Sequence, residues 1–363
     1  MQNGVFQTGN PRWSAVFSLF MGVMALIAAE FIPVSLLTPI ARDLAVSEGM
    51  AGQTVTAVGV LAVLTSLLLA PLTGNTDRRR ILLAFSAMLV ASYMLIGMAP
   101  TYSIMLIGRA ILGICVGGFW SLASAVTLQL VPTKDVPRAL SIVYAGVSVA
   151  TIIALPVASW IGHLIGWRNV FFLGALMAAF GFVWQYRALP SLPARAGSGF
   201  RDMSALLRRT WILAGIGGNI LSFGGYHIFF TYLQPFLELD LALGANTLSV
   251  ILLVFGVANV LGTFIAGALL GNHFRSTMIL VHLAFTAAAL ALLLSQGHAD
   301  IGIALAVFWG FAFGFTPVGW STWIARTLSD KAELAGGLTV AATQFAIGLA
   351  AAVGGFTYDN LGI

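Results

Sequence analysis

The chain has 363 residues, of which 59% are hydrophobic and only 8% are charged, and its formal net charge is +5. Soluble domains carry about 25% charged residues, so these side chains cannot cover the surface of a soluble protein of this length. The composition excludes a soluble enzyme, a nucleic-acid-binding domain and a disordered protein. It predicts an all-α polytopic protein of the lipid bilayer, because helices satisfy their own backbone groups in lipid.

Eleven apolar stretches are long enough to cross the bilayer core as helices, which takes about 20 residues each. They are too long and too uniformly apolar to be the strands of a membrane barrel. Pro317 predicts a kink or a broken turn in the tenth stretch. The stretches cover residues 13–39, 50–72, 81–99, 103–128, 138–161, 168–188, 210–237, 246–270, 277–296, 300–325 and 335–357.

Lysine and arginine are divided unequally between the loops on the two sides of these helices. Only Arg42 and Arg168 lie in one set of loops, and Arg109 lies inside a helix. The positive-inside rule therefore predicts that the N-terminus and the other set of loops are cytoplasmic. That set holds Arg12, Arg78, Arg79, Arg80, Lys134, Arg138, Arg187, Arg195, Arg201, Arg208, Arg209, Arg275, Arg326 and Lys331. The start MQNGVFQTGNPRW has no features of a cleaved signal peptide.

The sequence repeats itself at an offset of 196–200 residues. Trp120-Ser121 recurs as Trp320-Ser321, and HLIGW (163–167) falls opposite DNLGI (359–363). An internal repeat of this size predicts two related structural units. In the first unit HLIGW is followed by a sixth helix, and in the second unit the sequence stops before one.

The repeat predicts three regions along the chain. Residues 1–188 form an N-terminal six-helix half, residues 189–209 a Pro- and Arg-rich cytoplasmic linker, and residues 210–363 a C-terminal half that lacks its sixth helix. We therefore expect a six-plus-six architecture with the twelfth helix missing. A native eleven-helix protein is the alternative.

Three ionisable side chains at membrane depth are candidates for coupling transport to protons. Glu30 is the only acidic residue well inside a predicted span, and an acid at that depth is costly and by default functional. Arg109 cannot realistically deprotonate, so its expected role is to act on a nearby carboxyl or on backbone carbonyls. His227, close to the repeat position of Glu30, titrates in a suitable range. The alternative for each is a structural hydrogen bond between helices.

Several strings resemble the major facilitator superfamily, in particular its drug:proton antiporter-like efflux branch. LIGRAILGICVGG (106–118) is similar to the helix-4 motif, EFIPVSLLTPIARDL (30–44) to the helix-1 signature and GWRNVF (166–171) to the entry into helix 6. Of the superfamily's motif between helices 2 and 3, Asp77 and Arg78 are retained. The resemblance implies the major facilitator fold, alternating access, and a cytoplasmic gate to which Asp77 and Arg78 contribute.

Longer strings, including GGFWSLAS (117–124) and PVGWSTWIARTLSDKAELAG (317–336), resemble the bacterial purine ribonucleoside exporters of this branch. The resemblance implies a proton-coupled exporter of nucleosides such as inosine and guanosine in the bacterial inner membrane. Efflux of sugars or lipophilic drugs is the alternative substrate assignment. A membrane ligand sensor that does not transport is the alternative from another class.

The substrate candidates are aromatic and amide side chains, most of them on the fourth, seventh and tenth helices, which are among those that line the cavity in this superfamily. Aromatic rings stack on purine bases, and amides hydrogen-bond a base or a ribose, although both also pack helices together. The candidates are Trp120, Asn219, Phe223, Tyr226, Asn259, Trp320 and Gln344. No catalytic residue, cofactor or metal is expected, since no Cys/His/carboxylate cluster has metal-ligand spacing and no Walker loop is present. We expect a monomer that is not an enzyme.

Overall fold

A computed structural model describes residues 11–46, 48–194, 200–237, 241, 245–294 and 298–361. Within these ranges the regular structure consists of fourteen α-helices and two short 3₁₀ turns, and there is no strand. The α-helices are α1 (Trp13–Ser35), α2 (Leu37–Asp43), α3 (Glu48–Thr73), α4 (Arg78–Gly97), α5 (Tyr102–Leu130), α6 (Val136–Ile165), α7 (Trp167–Ala188), α8 (Phe200–Leu207), α9 (Thr210–Pro235), α10 (Ala245–Asn272), α11 (Phe274–Leu294), α12 (Ala299–Phe313), α13 (Phe315–Thr327) and α14 (Ala332–Leu361).

All eleven predicted apolar stretches are helical, which confirms the all-α architecture. Ten segments among the described residues are long and apolar enough to cross a membrane, with α12 and α13 counted as one. The eleventh stretch is α3, whose described apolar segment, Ala57–Thr73, is shorter than the other ten. The prediction of a polytopic all-α membrane protein therefore holds at the level of helix number, length and composition.

The first predicted helix, 13–39, is not continuous, and this corrects the sequence interpretation. It breaks at Leu36 into α1 and α2. Pro33 lies inside the last turn of α1 and has no backbone N–H to donate. The chain turns there, and the N–H of Leu36 bonds to Pro33 O in a tighter loop.

Two other irregularities concern the second part of the chain. The break predicted near Pro317 is confirmed, because α12 ends and α13 begins on either side of Gly314. The segment 189–209, predicted as a cytoplasmic linker, contains the short helix α8, which is not predicted from the sequence. Leu206 of α8 is buried, which shows that this helix packs against the helical body.

The helices α1–α7, here called the N-terminal group, pack against α9–α14, the C-terminal group. Close neighbours across the two groups are α3 with α14, α5 with α14, and α6 with α10, whereas α1 and α9 are not among the side-by-side pairs of the described residues. We call the side that carries Arg78, Arg138 and Arg326 the arginine-rich face.

The backbones of the two groups come into direct contact near the arginine-rich face. A Cβ atom built on Gly337 lies 2.2 Å from Ser66 O, and one built on Gly336 lies 2.4 Å from Ser121 O. Such distances leave no room for a side chain, so glycine lets α14 contact α3 and α5 directly. The two groups are therefore closed against each other at this face.

Candidate functional site

Arg109 lies in α5 with its side chain enclosed, and main-chain carbonyls of two other helices bind its guanidinium. Nη1 donates to Ala29 O at 2.7 Å, Nε donates to Thr54 O at 3.0 Å, and Nη2 makes a longer bond to Glu30 O at 3.4 Å. In a regular helix residue 33 would donate its N–H to Ala29 O, but residue 33 is Pro33. The arginine therefore replaces a helical hydrogen bond that the sequence of α1 removes.

Glu30 is half-buried on the same turn of α1. The charge of Arg109 acts on its carboxyl, yet the ion pairs within 4.0 Å among the described residues do not include these two side chains. Tyr93 of α4 donates its hydroxyl to Ala25 O at 2.6 Å, one turn earlier in α1. Arg109 and Tyr93 thus hold the backbone of the segment that carries Glu30, and they do so without a close ion pair to its carboxylate.

An aromatic pair lies where the N-terminal group meets α13. The rings of Trp120 and Tyr144 stack with centroids 4.8 Å apart and an interplanar angle of 16°. The Tyr144 hydroxyl lies 2.6 Å from Ser321 Oγ of α13, and Ser124 Oγ donates to Ser321 O at 3.4 Å. The predicted substrate residue Trp120 is therefore packed on a tyrosine that itself bridges the two helix groups.

Trp320 and Asn219 lie at the contact between α9 and α13. A Cβ atom built on Gly218 would be 2.8 Å from the Cη2 atom of Trp320, so the indole rests on the α9 backbone beside Asn219. Thr343 Oγ1 of α14 donates to Asn219 Oδ1 at 3.0 Å. The Asn219 Nδ2 and Trp320 Nε1 atoms are buried and have no acceptor among the described residues.

The candidates Phe223, Tyr226 and His227 share one aromatic cluster with Phe230 and Phe313. Tyr226 stacks on Phe313 at a centroid distance of 3.4 Å, and Phe223 meets the same ring edge-on at 5.7 Å. The His227 ring contacts Phe230 and Phe313 edge-on, at 5.9 Å and 6.0 Å. The structure thus brings these three candidates together, and the neighbours of the His227 ring in this cluster are aromatic.

The two remaining amide candidates lie between helices of opposite groups. Asn259 Oδ1 accepts a hydrogen bond from Ser148 Oγ of α6, and its Nδ2 donates to Gly310 O at 3.0 Å. Gln344 faces α3, with its Nε2 atom 3.9 Å from a Cβ built on Gly59. In this conformation both polar ends of Asn259 are used in joining helices, and a contact with substrate would need one of these bonds to open.

The proposed gate residue Arg78 forms a buried ion pair across the two groups. Its Nε donates to Glu333 Oε2 of α14 at 2.6 Å, and the two side chains are 1% and 10% exposed. Its other nitrogens donate to Thr76 O at 2.6 Å and Gly74 O at 3.0 Å. This pair stands at the arginine-rich face, where the backbones of the two groups also come into direct contact.

Asp77, the second gate residue, binds the beginning of the linker. Its Oδ1 accepts from the N–H groups of Arg79 at 2.8 Å and Leu192 at 2.9 Å, and Ser191 Oγ donates to its Oδ2 at 2.6 Å. Burial acts to raise the pKa of Asp77, but these hydrogen bonds outweigh it, and the pKa lies below its ordinary value. Asp77 therefore stays ionised and caps α4, as carboxylates at helix N-termini do.

Three residues of these networks escaped the sequence interpretation. Glu333 and Tyr144 are not among the residues singled out from the sequence, and Ser321 appears there only as the repeat mate of Ser121. The one usable signal was that Glu333 is an acid at the start of an apolar helix, facing a loop rich in arginine. Pairing of Tyr144 with Ser321 has no local signal, since the two residues are 177 positions apart.

Comparison with known proteins gives close relatives. The chain is 41% identical over 353 residues to the "Purine ribonucleoside efflux pump NepI" of Salmonella paratyphi C (strain RKS4594), covering 97% of this chain and 89% of the relative. The protein of the same name from Salmonella typhimurium (strain LT2) shows the same identity and coverage.

Solved structures share the fold at low sequence identity. The human organic anion transporter MFSD10 (TETRAN) superposes with a TM-score of 0.76 at 16% identity, over 98% of this chain and 95% of that one. The proton:xylose symporter XylE, bound to 6-bromo-6-deoxy-D-glucose, superposes with a TM-score of 0.75 at 14% identity, over 96% and 89%. Residues 18–355 match the description Major Facilitator Superfamily. The expectation from the sequence motifs is confirmed, and the chain belongs to the major facilitator superfamily of multi-pass membrane transporters.

Proposed function

We propose that this protein exports purine ribonucleosides such as inosine and guanosine in exchange for protons, by alternating access between two six-helix halves. The substrate class is supported by the 41% identity to the nucleoside efflux pumps over 97% of the chain. The protein would act as a monomer in the bacterial inner membrane, without enzymatic activity. Its N-terminus and arginine-rich face would be cytoplasmic, in accord with the positive-inside rule.

The observation that carries the coupling mechanism is the way in which Arg109 binds the α1 segment of Glu30. The guanidinium is fixed by Ala29 O and Thr54 O, and it makes no ion pair within 4.0 Å with the Glu30 carboxylate. A carboxyl in that position can gain and lose a proton while its backbone stays in place. An arginine paired directly with it would hold the carboxylate charged and prevent proton uptake.

Exchange requires that proton and substrate prefer opposite states, because only differential affinity shifts a conformational equilibrium. The structure is closed at the arginine-rich face through Arg78 and Glu333. In the proposed cycle a proton enters from the periplasm and binds Glu30, and the substrate leaves to the periplasm. His227, within its aromatic cluster, would take part in proton transfer, and Asp77 and Arg78 would act as the gate.

Substrate would bind between the halves near the midplane, where transporters of this kind hold it. The base would stack on Trp120, Trp320 or the Phe223–Tyr226 cluster. The amides of Asn219, Asn259 and Gln344 would supply polar contacts. Trp120 is the best supported of these residues, because its ring is only half-buried and is held in place by stacking on Tyr144.

The test is transport of labelled inosine by the purified protein in proteoliposomes, with and without an imposed pH gradient. Glu30→Gln runs in parallel, and Asp300→Asn, an exposed acid on α12, is the matched control. We expect the gradient to drive inosine flux in the wild type and in Asp300→Asn, and the flux to fall to background in Glu30→Gln. Inosine flux that ignores both gradient and mutation would contradict proton coupling.

Absence of inosine flux from folded protein would contradict the nucleoside assignment. Sugars and lipophilic drugs would then be tested in the same vesicles, since the aromatic and amide side chains near the midplane suit them as well. A protein that binds inosine with no flux of any substrate would instead be a ligand sensor.

A further inference from the structure

Two buried hydrogen-bond donors at the contact between α9 and α13 lack acceptors. They are Asn219 Nδ2 and Trp320 Nε1, and neither meets an acceptor among the described residues. Leaving a buried N–H without an acceptor costs about 1–3 kcal/mol for each group. The indole N–H and the amide NH₂ only donate, so what completes this site must offer hydrogen-bond acceptors.

The neighbouring contacts fix the orientation of both donors. Asn219 Oδ1 accepts from Thr343 Oγ1 at 3.0 Å, which assigns the opposite end of the amide as the donor. The Trp320 ring packs on Gly218, the residue next to Asn219, where a Cβ atom would lie 2.8 Å from the indole. Asn219 of α9 and Trp320 of α13 therefore present their donors where these two helices touch.

We propose that Asn219 and Trp320 select 6-oxopurine nucleosides over 6-aminopurine nucleosides, an inference that rests on the proposed nucleoside function. A 6-oxopurine presents two adjacent acceptors, N7 and O6, whereas adenine presents N7 beside an N6 amino group, which is a donor. Two donors satisfy the first pattern. Against the second, one donor faces another donor and stays unsatisfied. The site thus favours inosine and guanosine and rejects adenosine.

A substitution at Trp320 removes the indole donor. Trp320→Phe has no N–H, and it also lacks the outer indole ring whose atoms touch Gly218. Trp323→Phe, one helical turn away, is the matched control, because it loses the same N–H and the same outer ring from a tryptophan that rests on Gly215. Asn219→Leu removes the second donor while keeping a side chain of similar size.

The experiment measures binding of inosine and adenosine to the purified protein in detergent. We expect the wild type to prefer inosine by about tenfold, the discrimination typical of one correct two-point contact to a base. Trp320→Phe and Asn219→Leu should each bring this ratio close to one, chiefly by weakening inosine, whereas Trp323→Phe should keep it. 7-Deazainosine, which lacks the N7 acceptor, should bind the wild type less tightly than inosine.

Each outcome separates this inference from the proposed function. Equal affinity of the wild type for inosine and adenosine would overturn it, and so would an unchanged ratio in both Trp320→Phe and Asn219→Leu. If one variant fails to fold, as judged by its melting temperature, the other decides. Failure of every nucleoside to bind the folded wild type would contradict the proposed function itself.

Discussion

Arg109 donates a hydrogen bond to the carbonyl that Pro33 leaves without a helical partner. The distance from Arg109 Nη1 to Ala29 O is 2.7 Å, and Ala29 stands four residues before the proline in α1. A proline inside a helix is normally a local defect. Here it supplies an acceptor for an arginine of α5, and the arginine in turn stabilises the broken end of α1. The two residues are therefore expected to act as a pair.

The pairing predicts a non-additive response to two substitutions. Arg109→Lys should lower the free energy of unfolding by about 2 kcal/mol, because one ammonium on a flexible stem cannot span Ala29 O and Thr54 O together. Pro33→Ala restores an N–H for Ala29 O, so in the Arg109→Lys background it should recover about 1 kcal/mol. Thermal unfolding in detergent of both single variants and the double variant measures this.

The control for that cycle is a second proline inside a helix. Pro71 lies near the other end of α3, about 25 Å along the helix from Thr54, and far from the carbonyls that bind Arg109. Pro71→Ala should be additive with Arg109→Lys. Additivity of Pro33→Ala with Arg109→Lys would show that the arginine and the proline do not share Ala29 O in solution.

The ion pair of Arg78 with Glu333 is expected to stabilise the state in which the arginine-rich face is closed. Glu333→Gln keeps the shape of the side chain and removes its charge, which leaves the buried guanidinium of Arg78 without its counter-ion. The state closed at the arginine-rich face should lose population. Spin labels at the exposed positions 80 and 330, in a Cys115→Ala background, should then show longer distances than in the parent.

The same labels provide a control for that measurement. Asp300→Asn removes an acid that is exposed at the far end of α12, and it should leave the distance distribution unchanged. An unchanged distribution in Glu333→Gln would mean that the backbone contacts of Gly336 and Gly337, rather than the ion pair, keep this face closed.

Helix positions could be predicted from the sequence because each span buries its backbone within itself and shows as a long apolar run. The helix break at Gly314 could also be predicted, since Pro317 removes a donor from a known place. The short helix α8 could not, because eight residues flanked by arginines and glycines carry too weak a periodic signal. Nor could the break at Leu36, since proline bends some helices and breaks others.

The predicted site residues differ in how much of their role lies in local sequence. Glu30 and Arg109 stood out because a charge in lipid is costly and therefore rare. The acceptors of Arg109 are main-chain carbonyls on two other helices, which no pattern of side chains reveals. Glu333 is likewise 255 positions from Arg78, and their pairing depends on the packing of α14 against the N-terminal group.

The hydroxyl of Tyr144 is expected to stabilise the closed state, whereas its ring supports the proposed stacking surface of Trp120. Tyr144→Phe keeps the ring stacked on Trp120 and removes the hydroxyl that lies 2.6 Å from Ser321 Oγ. Loss of this bond should destabilise the closed state by about 1 kcal/mol, a roughly fivefold change in the equilibrium. Inosine flux should change accordingly, and inosine affinity in detergent should shift by no more than about fivefold, because only the populations of the two states change and the ring face of Trp120 is kept.

A variant of the partner residue Ser321 tests whether the effect of Tyr144→Phe comes from this one hydrogen bond. Ser321→Ala removes the other half of the same bond and should change flux as Tyr144→Phe does, and the double variant should add nothing further. Trp120→Ala should instead weaken inosine binding, since it removes the ring face proposed to stack on the base. Additive effects of Tyr144→Phe and Ser321→Ala would show that the two hydroxyls act separately.

Asp43 lies at the face opposite the arginine-rich face, and its hydrogen bonds predict that the protein loses stability in acid. Its carboxylate accepts hydrogen bonds from Arg168 Nη1 and, at 3.1 Å, from Trp167 Nε1, and Arg168 Nη2 also donates to Ala99 O at 2.9 Å. The hydrogen bond from Arg168 is the main cause that lowers the pKa of Asp43 below its ordinary value, with partial burial opposing it.

A carboxyl whose pKa is lower in the folded state than in the unfolded state stabilises the fold only while it is ionised. This contribution is complete above the unfolded pKa of about 3.9 and is lost as the pH falls through the lower folded value. The melting temperature of the wild type should therefore drop more steeply below about pH 4 than that of Asp43→Asn, which has no proton to bind there. Parallel pH profiles of the two proteins would show that α2 is held at the end of α7 by packing and not by this carboxylate.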